Sequence, residues 1–156
     1  MFLPRHAAAS SCLALACGVV FFASPVRAQQ PTVAGVVKNV TAGAVVVREG
    51  QELPATPGQT IAEGDTVRTT ADGRLGITLK DGTRLALGPN TELRIDSFAY
   101  APAERRLGIA LKLLRGVAAY ISGHIEHLAP GAVKIETPTS VIGVRGTHLL
   151  IGVGQS

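Results

Sequence analysis

Past residue 17 the 156-residue chain has no cysteine, since Cys12 and Cys17 are its only two. Both fall in an N-terminal apolar stretch, so the remainder can form no disulfide and must be held by core packing. Tryptophan is missing altogether, and beyond residue 28 the aromatics are Phe98, Tyr100 and Tyr120. That is poor equipment for stacking on bases or sugar rings. Charge of one sign is lacking too. Fifteen basic residues face eleven acidic ones, and removing Arg5 and Arg27 with an N-terminal signal leaves thirteen, a formal net charge of +2 with both signs interspersed. Such a balance excludes a dedicated nucleic-acid binder.

Long apolar runs are also absent after the first: Ala7 to Ala23 follows Arg5 and His6, holds 17 residues and closes before Pro25. That is short for a bilayer-spanning helix, and Val26-Arg27-Ala28 puts small residues where a signal peptidase reads. Cleavage is expected between Ala28 and Gln29, giving an exported chain, periplasmic first, with an extracellular or cell-surface location as the alternatives. Two other readings of this segment, an uncleaved anchor and lipidation at Cys17, fit less well, because the leucine before Cys17 is one position out of place and the apolar run continues through Val19 to Phe22. Residues 29–156 are the size of one ordinary domain.

What is present is alternation. Leu75, Ile77 and Leu79 interleave with Arg74, Gly76, Thr78 and Lys80, placing three apolar side chains on one face of a strand. Asp81-Gly82 then suits a tight turn, Leu85 and Leu87 open the next strand, and Gly88-Pro89-Asn90 breaks it before Leu93 and Ile95. Upstream, Val33 to Val40 and Ala44 to Arg48 read as a hairpin about Thr41-Ala42-Gly43. Leu53 to Gly58, with two prolines, reads as a loop that no interior strand can occupy. Downstream, Tyr100 to Arg106 is a long polar connection. Leu107, Ile109, Leu111 and Leu113 alternate up to Arg115-Gly116, and Val117, Ala119 and Ile121 resume the pattern. A helix over Leu107 to Tyr120 is the alternative, disfavoured because Gly108 and Gly116 would each cost about 1 kcal/mol in its interior. Val133 to Glu136, a turn at Thr137-Pro138-Thr139 and an extended Val141 to Val153 complete the chain. Turns spaced about 8 to 12 residues apart give an all-β fold, a compact roll or sandwich or a short β-solenoid.

Chemistry-bearing groups are sparse. His124, Glu126 and His127 lie near one turn without the spacing that sets two histidines on one helical face, so they read as a solvated loop rather than a metal site. Ser97 and Ser140 lack a nucleophile motif. Gly143-Val144-Arg145-Gly146 matches the GXXG loop of a KH domain, but β-forming residues flank it where helices should. Tyr100 suits a ring covering the edge of the core. No catalytic, metal or cofactor site is expected, and the chain is not expected to be an enzyme.

Five fragments, however, stand in a telling order: Glu63-Gly64-Asp65-Thr66-Val67-Arg68-Thr69, Ala71-Asp72-Gly73, Asp81-Gly82-Thr83, Glu136-Thr137-Pro138-Thr139 and Val144-Arg145-Gly146-Thr147. In these the chain resembles the FecR domain, over roughly Val33 to Val153. Its best-known relatives are membrane regulators that relay iron-siderophore signals to a sigma factor. This chain shows neither their anti-sigma segment nor their membrane helix, and resembles only the extracytoplasmic module. The resemblance implies a non-enzymatic envelope binding or sensing module that engages a protein or polymer, a structural self-associating surface component being the alternative and a siderophore-type signalling accessory a second one. The motif residues Asp65, Arg68, Asp81, Gly82, Arg145, Gly146 and Thr147 are the candidates for structural roles or partner contact. Arg145 is read either as a charge guarding an exposed strand edge or as the ion-pair partner of Asp65. The chain ends soon after Val144-Arg145-Gly146-Thr147, where many members continue into further strands. An unpaired strand edge open to homo-oligomerisation or partner capture is therefore expected.

Overall fold

A computed structural model describes residues 30–154 apart from residue 147. The expected cleavage site at Ala28 and Gln29, and Thr147, lie outside the described residues. Twelve strands form one hydrogen-bonded sheet curled into a half-barrel: β1 (Val33–Thr41), β2 (Ala44–Arg48), β3 (Gln51–Pro54), β4 (Thr60–Ala62), β5 (Thr66–Thr69), β6 (Arg74–Leu79), β7 (Arg84–Leu87), β8 (Glu92–Ala101), β9 (Arg106–Ile121), β10 (Val133–Glu136), β11 (Val141–Gly143) and β12 (His148–Val153). One short helix, α1 (His124–Leu128), follows β9. No helix among the described residues is long and apolar enough to cross a membrane. The all-β expectation holds, and of its architectures the compact roll describes the molecule.

The curl has two halves that share β9. One half runs β12-β9-β7-β6-β1-β4 and the other β3-β2-β5-β8-β9, with β10 beside β9 and β11 beside β10. Every pairing is antiparallel except β10 with β9, where Val133 stands opposite Ile109 and Glu136 opposite Lys112. The inner faces close on a single core. Leu75, Ile77, Leu85, Leu87 and Tyr120 come from the first half and Val46, Val67, Leu93, Ile95 and Leu111 from the second. Each is essentially removed from water, and burying each aliphatic side chain contributes about 1.5–3 kcal/mol.

β9 crosses between the halves at Gly116, whose φ of +85° is a left-handed conformation that costs glycine little. A side chain there has no room, because a Cβ would lie 2.4 Å from the Thr91 hydroxyl and 2.7 Å from the Asn90 carbonyl. Buried Thr91 locks the corner: the Val117 N–H donates to its hydroxyl at 3.0 Å, and that oxygen lies 3.1 Å from the Val117 carbonyl. Thr69, also buried, accepts from the Thr91 N–H at 2.9 Å and donates to the Gly88 carbonyl at 2.6 Å. The corner reverses the phase of the strand. Ile109, Leu111 and Leu113 point into the core before it, and Ala118 and Tyr120 after it. Val117, Ala119 and Ile121, which uninterrupted alternation would turn inward, lie on the outer face.

Other expectations need correction. β1 and β2 form no hairpin: β1 pairs with β4 and β6, while β2 pairs with β3 and β5 in the other half. The chain is redirected where the Thr70 N–H holds the Gly43 carbonyl at 2.7 Å. Part of the Leu53 to Gly58 loop is strand, since Pro54 closes β3, an outermost strand where a missing N–H is tolerated. Tyr100 to Arg106 is no long connection. β8 continues to Ala101 opposite Arg106, and a 3-10 turn over Pro102–Glu104 with Arg105 left-handed joins β8 to β9. The stretch expected to be extended from Val141 to Val153 divides into β11 and β12.

Candidate functional site

Two of the motif carboxylates are structural. Asp65, buried just before β5, accepts from Arg48 Nε at 2.9 Å and Nη2 at 2.6 Å, and from the Ala62 N–H at 2.7 Å. That hydrogen bonding raises the Arg48 guanidinium above its ordinary value. Asp65 is thus not the partner of Arg145: Arg48, on the neighbouring β2, occupies its carboxylate from both sides. Arg68, on β5 itself, reaches Glu52 on exposed β3 at 2.7 Å.

Asp81 is fully buried in the β6–β7 turn. Gly82 supplies the positive φ of +86°, with the Gly82 N–H closing on the Leu79 carbonyl at 3.0 Å. Its carboxylate accepts from the Thr83 N–H at 3.1 Å and the Thr83 hydroxyl at 2.7 Å. Its backbone carbonyl accepts from the His124 N–H at 2.8 Å and stands 2.7 Å from His124 Nδ1. The Thr83 hydroxyl in turn accepts from the Gly123 N–H at 3.1 Å. This small polar cluster anchors α1, which the sequence had presented as a solvated loop. Ile125 and Glu126 turn inward, and Glu126 Oε2 and the Tyr120 hydroxyl are buried without a hydrogen-bond partner among the described residues. Burial pushes the Tyr120 phenol above its ordinary value, and the nearby Asp81 and Glu126 carboxylates add to the rise while Thr83 opposes it.

Two clefts take in residues of the C-terminal motifs. The larger, about 780 Å³, runs beside β12, whose Ile151, Gly152 and Val153 line it; Leu114 and Ile142 add apolar surface, and the Thr137–Ser140 turn faces them. That turn is pinned by the Thr137 hydroxyl, which accepts from the Ser140 N–H at 3.0 Å and lies 3.1 Å from the Ser140 carbonyl. The smaller, about 440 Å³, brings Arg145 and Gly146 together with Ser122, Glu126, His127 and Pro130. The structure therefore gathers Arg145, Gly146, Glu126 and His127, and separates them from Asp65 and Arg68. Among the described residues no three His, Cys, Asp or Glu side chains converge as a metal site would require.

Among the described residues β12 is the outermost strand of its half, hydrogen-bonded to β9 alone. It pairs with β9 in unbroken register over six residues and carries no Pro, Lys, Arg, Asp or Glu. The remaining outer strands are guarded or short. β3 bears Glu52 and Pro54, β4 has three residues with a bulge in its pairing, and β11 has three residues. Arg145 sits in the segment between β11 and β12, and guards neither.

Residues 65–156 match the family model described as FecR protein. The chain belongs to the FecR family. No curated protein and no solved structure matches it. The FecR match opens on Asp65 and runs through the Asp81 turn, both clefts and β12, whereas the resemblance in sequence extends upstream to Val33. β1 to β4 lie ahead of the match; β1, β2 and β4 supply core residues, and β1 and β2 pair directly with β6 and β5. The Arg48 that holds Asp65 also comes from ahead of it.

Proposed function

We propose that this FecR-family chain is a non-enzymatic envelope binding module that captures an extended segment of a partner protein by adding it as a strand to β12. The observation that carries the reading is the uncharged edge of β12, unpaired among the described residues, lying along a cleft whose apolar side is Leu114, Ile142 and Ile151 and whose polar side is Arg115 and the Thr137–Ser140 turn. Main-chain hydrogen bonds to such an edge supply affinity, and alternate side chains entering the cleft supply selectivity. Four residues of added strand span about 13 Å, the reach of the lining from Ile151 to Gly154. The export signal read at Ala28 and Gln29 supports placing this activity outside the cytoplasm.

A photo-crosslinking phenylalanine in place of Ser140, on the cleft rim, tests it. A discrete envelope protein should be trapped, and Ile142→Lys, which sets a charge on the apolar wall, should abolish the adduct. Adducts only between copies of this chain, growing with its concentration, would replace the reading with a self-associating structural component. Adducts unaffected by Ile142→Lys would move the binding surface elsewhere.

A further inference from the structure

The phase reversal at Gly116 leaves an apolar surface outside the molecule, on the opposite side of the first half from its core. Leu150 is 73% exposed and Val117 44%, and Ala86, Ala119 and Ile121 continue the surface across β12, β9 and β7. One cross-strand row reads Gly76, Ala86, Ala119, Leu150, in direct register from β6 to β12, and the small side chains of this row leave a shallow hollow of about 300 Å³, with Ile121 in its lining and Lys38 and Arg84 beside it. On its strands charge has one sign. The strands of this half, with β9 taken from Gly116, contain no Asp or Glu, while Lys38, Arg74 and Arg84 stand on β1, β6 and β7 and Lys80 follows β6. None of these four cations forms an ion pair with another described residue. The acidic strand residues Glu52, Glu92, Asp96 and Glu136 all belong to the other half.

We infer that this outer face docks on an anionic bilayer surface. Peripheral binding to lipid scales with apolar area buried plus attraction to anionic headgroups, and this face offers both side by side. A second copy is a poor occupant, since face-to-face contact would oppose two sets of four cations. A folded protein partner is disfavoured as well. Its neutral hydrogen-bonding side chains, Asn39, Thr41, Thr60, Thr78 and His148, are spread over four strands, with none on the Gly76–Leu150 row, and so offer no compact set with which to fix a partner's orientation. A bilayer asks for no orientation within its plane. The surface is distinct from the cleft beside β12 and does not depend on strand capture there.

Sedimentation with vesicles tests the inference, using the chain from Gln29 onward, which contains every described strand and lacks the apolar N-terminal run that would itself enter lipid. Phosphatidylcholine vesicles containing phosphatidylglycerol should bind at least tenfold more strongly than phosphatidylcholine alone. Removing two cations in a Lys38→Gln/Arg84→Gln variant should weaken binding by roughly 30-fold, Leu150→Ser should weaken it separately, and Arg68→Gln in the other half should leave it unchanged. No sedimentation with the anionic vesicles, equal binding to both lipids, or anionic binding that survives both the double variant and Leu150→Ser would each overturn it.

Discussion

Arg48 clamps the carboxylate of Asp65 with two nitrogens, at 2.9 and 2.6 Å, tying β2 to the residue that leads into β5. Asp65 is buried while the guanidinium keeps about a third of its surface in water, so the pair matters chiefly through what its loss would strand. Asp65→Ala is expected to cost about 3 kcal/mol. Arg48→Met, which leaves the carboxylate one backbone donor at Ala62, should cost about 2 kcal/mol. Arg145→Ala should change stability by less than about 0.5 kcal/mol. Urea unfolding of the three variants decides it, and a loss in Arg145→Ala matching that in Asp65→Ala would refute the assignment.

Gly116→Ala should be among the most damaging single-methyl additions. It combines a positive φ with a contact far inside van der Waals distance of Thr91, for an expected loss of about 3 kcal/mol. Thr91→Val keeps the shape but removes the hydroxyl partner of both Val117 backbone groups, and should cost about 2 kcal/mol. Melting curves close to that of the parent for both variants would show that the corner is not held as described.

The anchoring of α1 on the β6–β7 turn predicts a local effect at long range in sequence. Asp81→Ala should speed amide exchange at residues 124–128 as well as at Thr83, because the Asp81 carboxylate orders the Thr83 hydroxyl that receives the Gly123 N–H. Exchange that quickens only at the turn itself would separate the two elements.

Tyr120 carries a pH dependence. Its phenol is held neutral in the folded chain by burial, while the unfolded chain ionises near 10. The folded state's pKa is the raised one, so this contribution to stability is complete below about pH 10 and is lost as pH rises beyond it. Tyr120→Phe should shallow the alkaline fall in stability and shift stability at neutral pH by less than about 1 kcal/mol. Parallel curves for parent and variant between about pH 8 and 11 would exclude Tyr120 as the source.

Local pattern carried much of this fold. β6, β7 and the Asp81-Gly82 turn follow from alternation and turn chemistry that act within a few residues. Features fixed by distant neighbours were hidden. Helix α1 is five residues long with no capping side chain of its own, and its anchor is some 40 residues upstream. The outward turn of Val117, Ala119 and Ile121 depends on one dihedral at Gly116, and valine, alanine and isoleucine read alike on either face. The family fragments marked Asp65 and Asp81, but only the fold shows both spent on internal hydrogen bonds. Arg48 carried no mark and Glu126 read as solvated, since nothing nearby in sequence distinguishes a buried or clamping charge from a solvated one.

The two halves are threaded through one another. The chain visits β1 in the first, β2 and β3 in the second, β4 in the first, β5 in the second, and changes sides again until β12. No stretch of contiguous sequence corresponds to either half, so neither can ripen ahead of the other as synthesis proceeds from the N-terminus. β1 waits for β6, β5 for β8, and β7 for β9. Such a wiring delays closure until nearly the whole chain is available, favours slow, all-or-none maturation in milliseconds to seconds, and keeps the chain threadable until its last strands are free to pair.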